Sequence, residues 1–162
     1  MQATPPAIPP FIADIYELAG ALWRYGDEIA HAVGQTQARW QVLSVASDQP
    51  KTVPQIARRL GVSRQNVQRI GDVLVNESLA RFVDNPDHRT SPYLILTDVG
   101  QRTLRALSKA ARSHHVVLAA RLNGLDLEAL QRGIRAVQTA VDALERTAAP
   151  MSAKRRHVAV SP

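Results

Sequence analysis

Apolar residues recur every three or four positions along the first part of the chain. This spacing places them on one face and predicts a long amphipathic helix that buries that face and ends at Gly34. A second helix follows, with Thr36 as its N-cap, and runs to the turn formers at 48–50. The apolar positions of the first helix are Ile12, Ile15, Ala19, Leu22, Trp23, Gly26, Ile29, Ala30 and Val33.

Two short helices are predicted next, on either side of a glycine. The segment 52–55 (Thr-Val-Pro-Gln) has the form of a capping box with proline in the first turn, and Gly61 stops the helix that it opens. Ser63 is a good N-cap for the following helix, which buries Val67, Ile70 and Leu74 and extends to about Asn76. The pattern therefore predicts two helices joined by a tight turn.

A hairpin follows these helices. Residues 79–83 and 93–97 are β-prone, and the segment 84–92 between them is dense in turn formers. Thr97 and Asp98 then cap another long helix, which ends at Asn123 and Gly124.

The last predicted helix starts at Asp126 and has heptad spacing over fewer than three heptads. This is short for a free coiled coil, so we expect its seam to pack against the other long helices or a partner subunit. The helix is expected to end near Arg146, followed by a mobile tail. The seam comprises Leu127, Leu130, Ile134, Val137, Val141 and Leu144.

These elements predict a mainly α fold: a winged helix-turn-helix with a small two- or three-stranded β wing, flanked by long terminal helices that form a dimerisation region. The expected organisation is an N-terminal dimerisation helix at 1–35, a DNA-binding domain at 36–98, C-terminal dimerisation helices at 99–147 and a flexible tail at 148–162.

Charge adds a candidate partner to this picture. The formal net charge is +6, and the stretch between Gln49 and Gly71 contains five basic residues and no acidic one, which favours a polyanion. A second acid-free stretch runs from Val99 to Leu125, so charge alone does not select the site.

Cysteine is absent, which excludes disulfides and thiolate metal sites. The first residues do not resemble a signal peptide, and we expect a cytoplasmic protein that does not contact a membrane.

The helix that opens at Ser63 has the residue types that reading DNA requires. Its outward side carries Arg64, Gln65, Gln68 and Asp72, with Asn66 and Arg69 flanking. Arginine can bind the O6 and N7 atoms of guanine with two hydrogen bonds, and glutamine or asparagine can bind N6 and N7 of adenine in the same way.

Neighbouring groups are expected to bind phosphates and so to position the protein without specifying sequence. These are the partly positive N-terminus of the same helix, Thr52, and the side chains of Lys51 and Arg58.

Three segments together resemble the MarR family: 40–43 (Trp-Gln-Val-Leu), 52–69 with the two helices and their turn, and 94–97 (Leu-Ile-Leu-Thr) with Gly100. The resemblance spans about 36–100. It implies a homodimer with interlocked terminal helices, which binds DNA and commonly releases it when a small, often phenolic, molecule binds.

Carried over by position, the resemblance implies that Arg89 at the wing tip enters the minor groove, where arginine reads shape. It implies that Ser63, Arg64, Gln65, Asn66, Gln68 and Arg69 face the major groove. The family has an aspartate followed by two arginines at the wing tip, whereas this chain has His88, Arg89 and Thr90. The carboxylate that anchors the wing arginine is therefore missing, although Asp84 or Asp87 can substitute.

Some of these candidate site residues can be interpreted in two ways, as functional or as merely structural or solvated. Trp23, Tyr25, His31 and Trp40 can line a pocket for a phenolic or aromatic effector, or can simply pack in the core. Arg89 can be an ordinary exposed hairpin charge, and the basic segment 154–157 can add nonspecific DNA affinity or be merely solvated.

Neither catalysis nor a metal site is expected. No phosphate loop, dinucleotide fingerprint or zinc-protease motif occurs, and His114 and His115 lack further ligands on one face.

The sequence thus favours a sequence-specific DNA-binding transcription regulator that is not an enzyme and needs no cofactor. It predicts a ligand-responsive repressor acting as a homodimer on double-stranded, pseudo-palindromic operator DNA. The alternative is a winged-helix module for protein interaction that does not bind DNA.

Overall fold

The computed structural model describes residues 5–156, without the side chains of 145 and 147–156. The described chain divides into two compact units, the first ending at Leu118 and the second beginning at Ala119. After a turn of 3-10 helix (Pro5–Ala7), the helices are α1 (Ile8–His31), α2 (Gln37–Asp48), α3 (Val53–Leu60), α4 (Arg64–Asn76), α5 (Asp98–Arg121) and α6 (Leu127–Arg156). The strands are β1 (Lys51–Thr52), β2 (Ala80–Val83) and β3 (Tyr93–Leu96).

The three strands form one antiparallel sheet in the order β1-β3-β2. The hairpin pairs Ala80 with Leu96 and Val83 with Tyr93, while Lys51 of β1 lies opposite Leu94. The prediction allowed two or three strands in the wing, and the structure has three. Strand β1 was not predicted, because two residues are too few to show an alternating pattern.

The core of the first unit lies where α2, α3 and α4 meet the sheet and the start of α5. Each of these five elements contributes a large side chain that is fully buried, and together with many smaller neighbours these form one apolar cluster. The five side chains are Leu43, Ile56, Leu74, Leu94 and Leu107. The mainly α winged helix predicted from the sequence is confirmed.

Most predicted helix starts are also confirmed by their hydrogen bonds. The side chains of Thr36, Ser63, Thr97 and Asp126 each accept from the backbone N–H three residues later, which satisfies a donor that has no partner inside the helix.

The predicted end of the last helix near Arg146 is wrong, because α6 continues to Arg156. The added residues include alanine, methionine, lysine and arginine, whose helix propensities are high. The expected mobile tail falls partly on residues 157–162, which lie outside the described residues, as does the last residue of the basic segment 154–157.

The long helices α1, α5 and α6 carry many charged and polar side chains. Within the described residues, none of the helices combines the length and the apolarity that crossing a membrane requires.

A close backbone approach joins the end of α4 to the start of α5. The carbonyl oxygen of Leu79 accepts from the backbone N–H of Thr97 at 3.1 Å, and the Thr97 hydroxyl donates to the Ser78 carbonyl at 2.7 Å. A Cβ atom added to Gly100 would lie 1.9 Å from the Leu79 carbonyl oxygen. Only glycine fits at position 100, because the atom in the way belongs to backbone that is itself hydrogen-bonded.

We therefore expect Gly100→Ala to lower the free energy of unfolding by about 2 kcal/mol or more, since backbone must move to relieve the overlap. Gly71→Ala is the matched control, because its Cβ would meet the side chains of Leu94 and Phe82 at an ordinary 3.5 Å. Denaturant titration of both variants tests this. An unchanged midpoint for Gly100→Ala would show that the junction is not tightly packed.

Candidate nucleic-acid interface

The turn between α3 and α4 is built from local hydrogen bonds. Thr52 and Gln55 form the reciprocal capping box that opens α3. Gly61 ends it in the left-handed conformation (φ 66°), where a side chain would be strained, and Val62 N–H donates to the Ala57 carbonyl at 3.1 Å. Helix α4 begins immediately afterwards, with Ser63 Oγ accepting from Asn66 N–H at 3.1 Å. Two helices joined this closely form a helix-turn-helix.

Packing determines which side of α4 faces outward. Val67 and Leu74 are fully buried and Ile70 nearly so, which fixes the apolar side against the core. The opposite side is solvent-exposed over its first turns, and Asn66 at its margin is half-buried. The exposed residues are Ser63, Arg64, Gln65, Gln68, Arg69 and Asp72. The described part of the chain therefore leaves the predicted DNA-reading side uncovered.

Hydrogen bonds orient two pairs of side chains on that side. Gln68 Nε2 donates to Asp72 Oδ1 at 2.8 Å, and Arg69 Nη2 donates to Asn66 Oδ1 at 3.2 Å. Each bond uses one donor and leaves others free, because an amide nitrogen carries two hydrogens and a guanidinium group carries five.

The wing loop is organised by Asn85, a residue that the sequence analysis did not single out. Its side chain is only 7% exposed; Oδ1 accepts from Asp87 N–H at 3.0 Å and Nδ2 donates to the Ser91 carbonyl at 2.9 Å. The segment 85–87 (Asn-Pro-Asp) could have indicated this, because asparagine before proline commonly starts a turn closed by its own side chain.

Arg89 lies exposed on this loop. The ion pairs of the described side chains do not include one from Arg89 to either Asp84 or Asp87. The structure thus leaves the guanidinium group of Arg89 facing solvent, as a minor-groove contact requires.

A groove runs between the helix-turn-helix and the wing. Its helical wall includes Arg64, Gln65 and Gln68, and its opposite wall includes Phe82, Thr90 and Pro92. A neighbouring depression brings Arg58 and Arg64 to the same wing loop as His88. Of the residues predicted to bind DNA, Arg58, Arg64, Gln65 and Gln68 are therefore brought together beside the wing.

Two predicted phosphate contacts need correction. Lys51 is only 7% exposed, and its Nζ lies 3.5 Å from Asp48 Oδ2 and 3.4 Å from the Gln49 carbonyl oxygen. Thr52 is also buried, and its hydroxyl caps α3. Both residues belong to β1, whose pairing with β3 draws them into the sheet. Their roles here are structural.

Asp48 forms ion pairs with two basic residues, Arg59 at 3.0 Å and Lys51. The hydrogen bond from Arg59, followed by the positive charge of Lys51, holds the pKa of the Asp48 carboxyl below its usual value. Asp48 therefore stays ionised and compensates the charge of a largely buried lysine.

The four residues predicted to line an effector pocket occupy different surroundings. Trp23 and His31 share a shallow groove on α1 with Asp27 and Glu28. Trp40 instead packs against the core of the winged helix. The pocket remains a prediction.

Tyr25 contacts both histidines of α5. Its ring centroid lies 6.0 Å from that of His114, edge to face, and 6.4 Å from that of His115, stacked. Among the described residues, no set of three or more histidine, aspartate or glutamate side chains is placed to hold a metal ion.

The predicted dimerisation residues are exposed in the single chain. On α1, 45% of Ile12 and 39% of Ile15 are exposed, and Trp23 is 44% exposed. The expectation that this apolar face is buried therefore fails for the single chain, apart from its C-terminal end at Gly26, Ile29 and Ala30. On α6 the row Leu127, Leu130, Ile134, Val137 and Val141 is also exposed.

Comparison with known proteins decides the family. The sequence pattern of the MarR family matches residues 34–89, which contain the helix-turn-helix, strand β2 and part of the wing loop. The chain belongs to the MarR family. Uncharacterized proteins of Mycobacterium tuberculosis and Mycobacterium bovis are each 48% identical to it over 132 residues, covering 82% of this chain and 92% of theirs.

Solved structures share the MarR fold along most of this chain. The regulator BldR of Sulfolobus solfataricus has a TM-score of 0.72 at 15% identity, covering 81% of this chain and 94% of its own. MosR of M. tuberculosis, solved in complex with DNA, has a TM-score of 0.68 at 21% identity, covering 82% and 96%. The repressor CouR, bound to a 23-mer DNA duplex, has a TM-score of 0.66 at 24% identity, covering 78% and 89%.

MarR proteins are transcription regulators and not enzymes, as was expected of this chain from its motifs. The resemblance predicted from the sequence is confirmed, and it extends beyond the helix-turn-helix to the helices on either side.

Asp48→Asn should lower stability at neutral pH, since Lys51 and Arg59 both lose their anionic partner. Because the folded state lowers the pKa of Asp48, its contribution is fully present above the unfolded value of about 4 and is lost as the pH falls through the lower folded value. The stability difference between wild type and variant should therefore shrink on acidification. Urea titrations from pH 7 to pH 3 measure it, with Asp84→Asn as a control; a difference independent of pH would contradict the assignment.

Proposed function

We propose that this protein is a transcriptional repressor that binds a pseudo-palindromic operator as a homodimer, with one α4 helix in each of two successive major grooves. The observation that carries the proposal is the uncovered polar side of α4, which lies beside an exposed wing. An α-helix fits the major groove of B-DNA, and the residues of its first turns reach base edges.

Charge at this surface fits duplex DNA. Arg64 and Arg69 lie on α4, Arg58 lies on α3 beside the wing, and Arg89 extends from the wing loop. Of the acidic side chains near them, Asp48 pairs with Arg59, whereas Asp72 lies on the same outward side of α4 and accepts from Gln68. We assign the phosphate contacts to Arg58 and to the N-terminus of α4, in place of Lys51 and Thr52.

The proposed dimer follows from exposed apolar rows. Large apolar side chains project from α1 and α6, and leaving them in water costs about 25 cal/mol per Å² of apolar surface. Monomeric proteins rarely expose large continuous apolar patches, so a second copy of this chain is the natural cover. Two-fold symmetry then places two α4 helices about 34 Å apart, one turn of DNA.

We also propose that a small aromatic effector binds this protein and changes its affinity for DNA. One MarR structure similar to this chain, CouR of Rhodococcus jostii, was solved bound to p-coumaroyl-CoA (TM-score 0.67, 15% identity, covering 78% of this chain and 87% of its own). In this chain Trp23, Tyr25 and His31 lie on α1, and Tyr25 contacts α5, which follows the wing directly. A ligand bound at these side chains can bias the position of α5 and thereby that of the wing.

The substitutions Arg69→Ala and Arg58→Ala distinguish a contact that reads bases from a contact that binds phosphates. Arg69→Ala should cost about 1–3 kcal/mol on operator DNA and little on random DNA, whereas Arg58→Ala should weaken both alike and reduce the salt slope by about one charge. Gel-shift titrations with the upstream promoter and a scrambled duplex at two salt concentrations measure both effects. Wild-type binding that is absent or insensitive to salt would favour a protein-interaction module instead.

Leu130→Asp or Ile134→Asp should convert the dimer to monomers and abolish tight operator binding, because a charge would be buried in an apolar seam. Thr139→Asp is the matched control: it introduces the same charge on α6, away from the apolar row, and should leave the dimer intact. Sedimentation velocity distinguishes the species. A Leu130→Asp dimer as stable as the control would contradict the proposed interface.

A further inference from the structure

Helix α4 carries one acidic residue, Asp72, on the outward side that we propose to enter DNA. A carboxylate near a phosphate backbone lowers affinity for every sequence, because like charges repel and a positive charge is partly neutralised. Asp72 does not form an ion pair with any basic side chain of the described chain. Its partner is the neutral amide of Gln68, one helical turn earlier.

This contact fixes which way the Gln68 amide points. An ionised carboxylate only accepts hydrogen bonds, so at 2.8 Å from Asp72 Oδ1 the donor must be Nε2. The amide oxygen Oε1 is thereby turned away from the carboxylate. We expect Asp72 to accept the Nε2 hydrogen that lies trans to Oε1, because use of the other hydrogen would bring Oε1 close to the carboxylate. The second Nε2 hydrogen and Oε1 then share one edge of the amide.

A free edge with one donor beside one acceptor matches a single base in the major groove. Adenine offers the N7 acceptor next to the N6 donor, whereas guanine offers two acceptors, cytosine one donor, and thymine one acceptor beside a methyl group. Gln68 is the fifth residue of α4, within the first turns that reach base edges.

We propose that Asp72 is a positioning residue that holds the Gln68 amide so that it reads an adenine in each operator half-site. This inference rests on the proposed function. It explains why a DNA-facing helix keeps a carboxylate: general affinity is given up for discrimination at one base pair. A glutamine without this partner can rotate its amide and lose the match of donor to acceptor.

The test is a selection of binding sites from a random duplex pool with the full-length protein and three variants. Wild type should enrich sites with one A·T pair per half-site that is preferred about tenfold over the other pairs, and Gln68→Ala should lose that preference. Asp72→Ala should reduce the preference to about threefold or less and at the same time bind random DNA more tightly. Asp72→Asn removes the charge, and its amide can either accept from or donate to Gln68, so this variant should bind random DNA more tightly and show a weaker adenine preference than wild type.

Replacement of the selected adenine by 7-deazaadenine, which lacks the N7 acceptor, should weaken wild type about tenfold and leave Gln68→Ala unaffected. An adenine preference that is unchanged in Asp72→Ala or in Asp72→Asn would overturn the positioning role while leaving the proposed function standing. Failure of wild type to enrich any site would instead overturn the proposed function and this inference with it. Melting temperatures of the variants, all altered at exposed positions, verify that each is folded.

Discussion

The direction in which α4 presents its polar side depends on the burial of Val67, Ile70 and Leu74 against the core. Each such side chain contributes about 1.5–3 kcal/mol relative to exposure, so a rotation of the helix that exposed them would cost a large part of the stability of a small domain. The tight turn at Gly61 fixes the same helix along its axis, because α4 must begin at Ser63. Packing and turn together determine where the exposed polar side chains of α4 lie.

The wing and the start of α5 are linked to that core by backbone contacts. Leu79 follows α4, and its carbonyl oxygen lies against Gly100. Within the wing loop, the side chain of Asn85 forms hydrogen bonds with the backbone of Asp87 and Ser91. The conformation of the loop that carries Arg89 is thus stabilised by hydrogen bonds within the loop. Since α5 follows β3 directly, the effector that we propose would act on the wing through the position of α5.

Much of this architecture could be predicted from local sequence rules. Thr52, Gly61 and Ser63 determine helix ends through bonds made within a few residues, and periodic apolar positions determined which side of α4 is buried. The misses at Lys51 and Thr52 arose because a long-range contact decides the outcome. Lys51 and Thr52 look like phosphate ligands in sequence, but pairing of β1 with β3, some forty residues away, buries them. The hydrogen bond of Gln68 to Asp72 joins residues one turn apart, yet spacing alone does not show which donor is used.

We propose that the outward side of α4 enters the major groove twice per assembly. Methylation interference on an operator duplex is the decisive experiment, because methyl groups added to guanine N7 project into the major groove, where they block a helix but not a minor-groove contact. We expect two clusters of interfering guanines, related by two-fold symmetry and centred about one helical turn apart. A bound operator with one cluster, or with none, would contradict it.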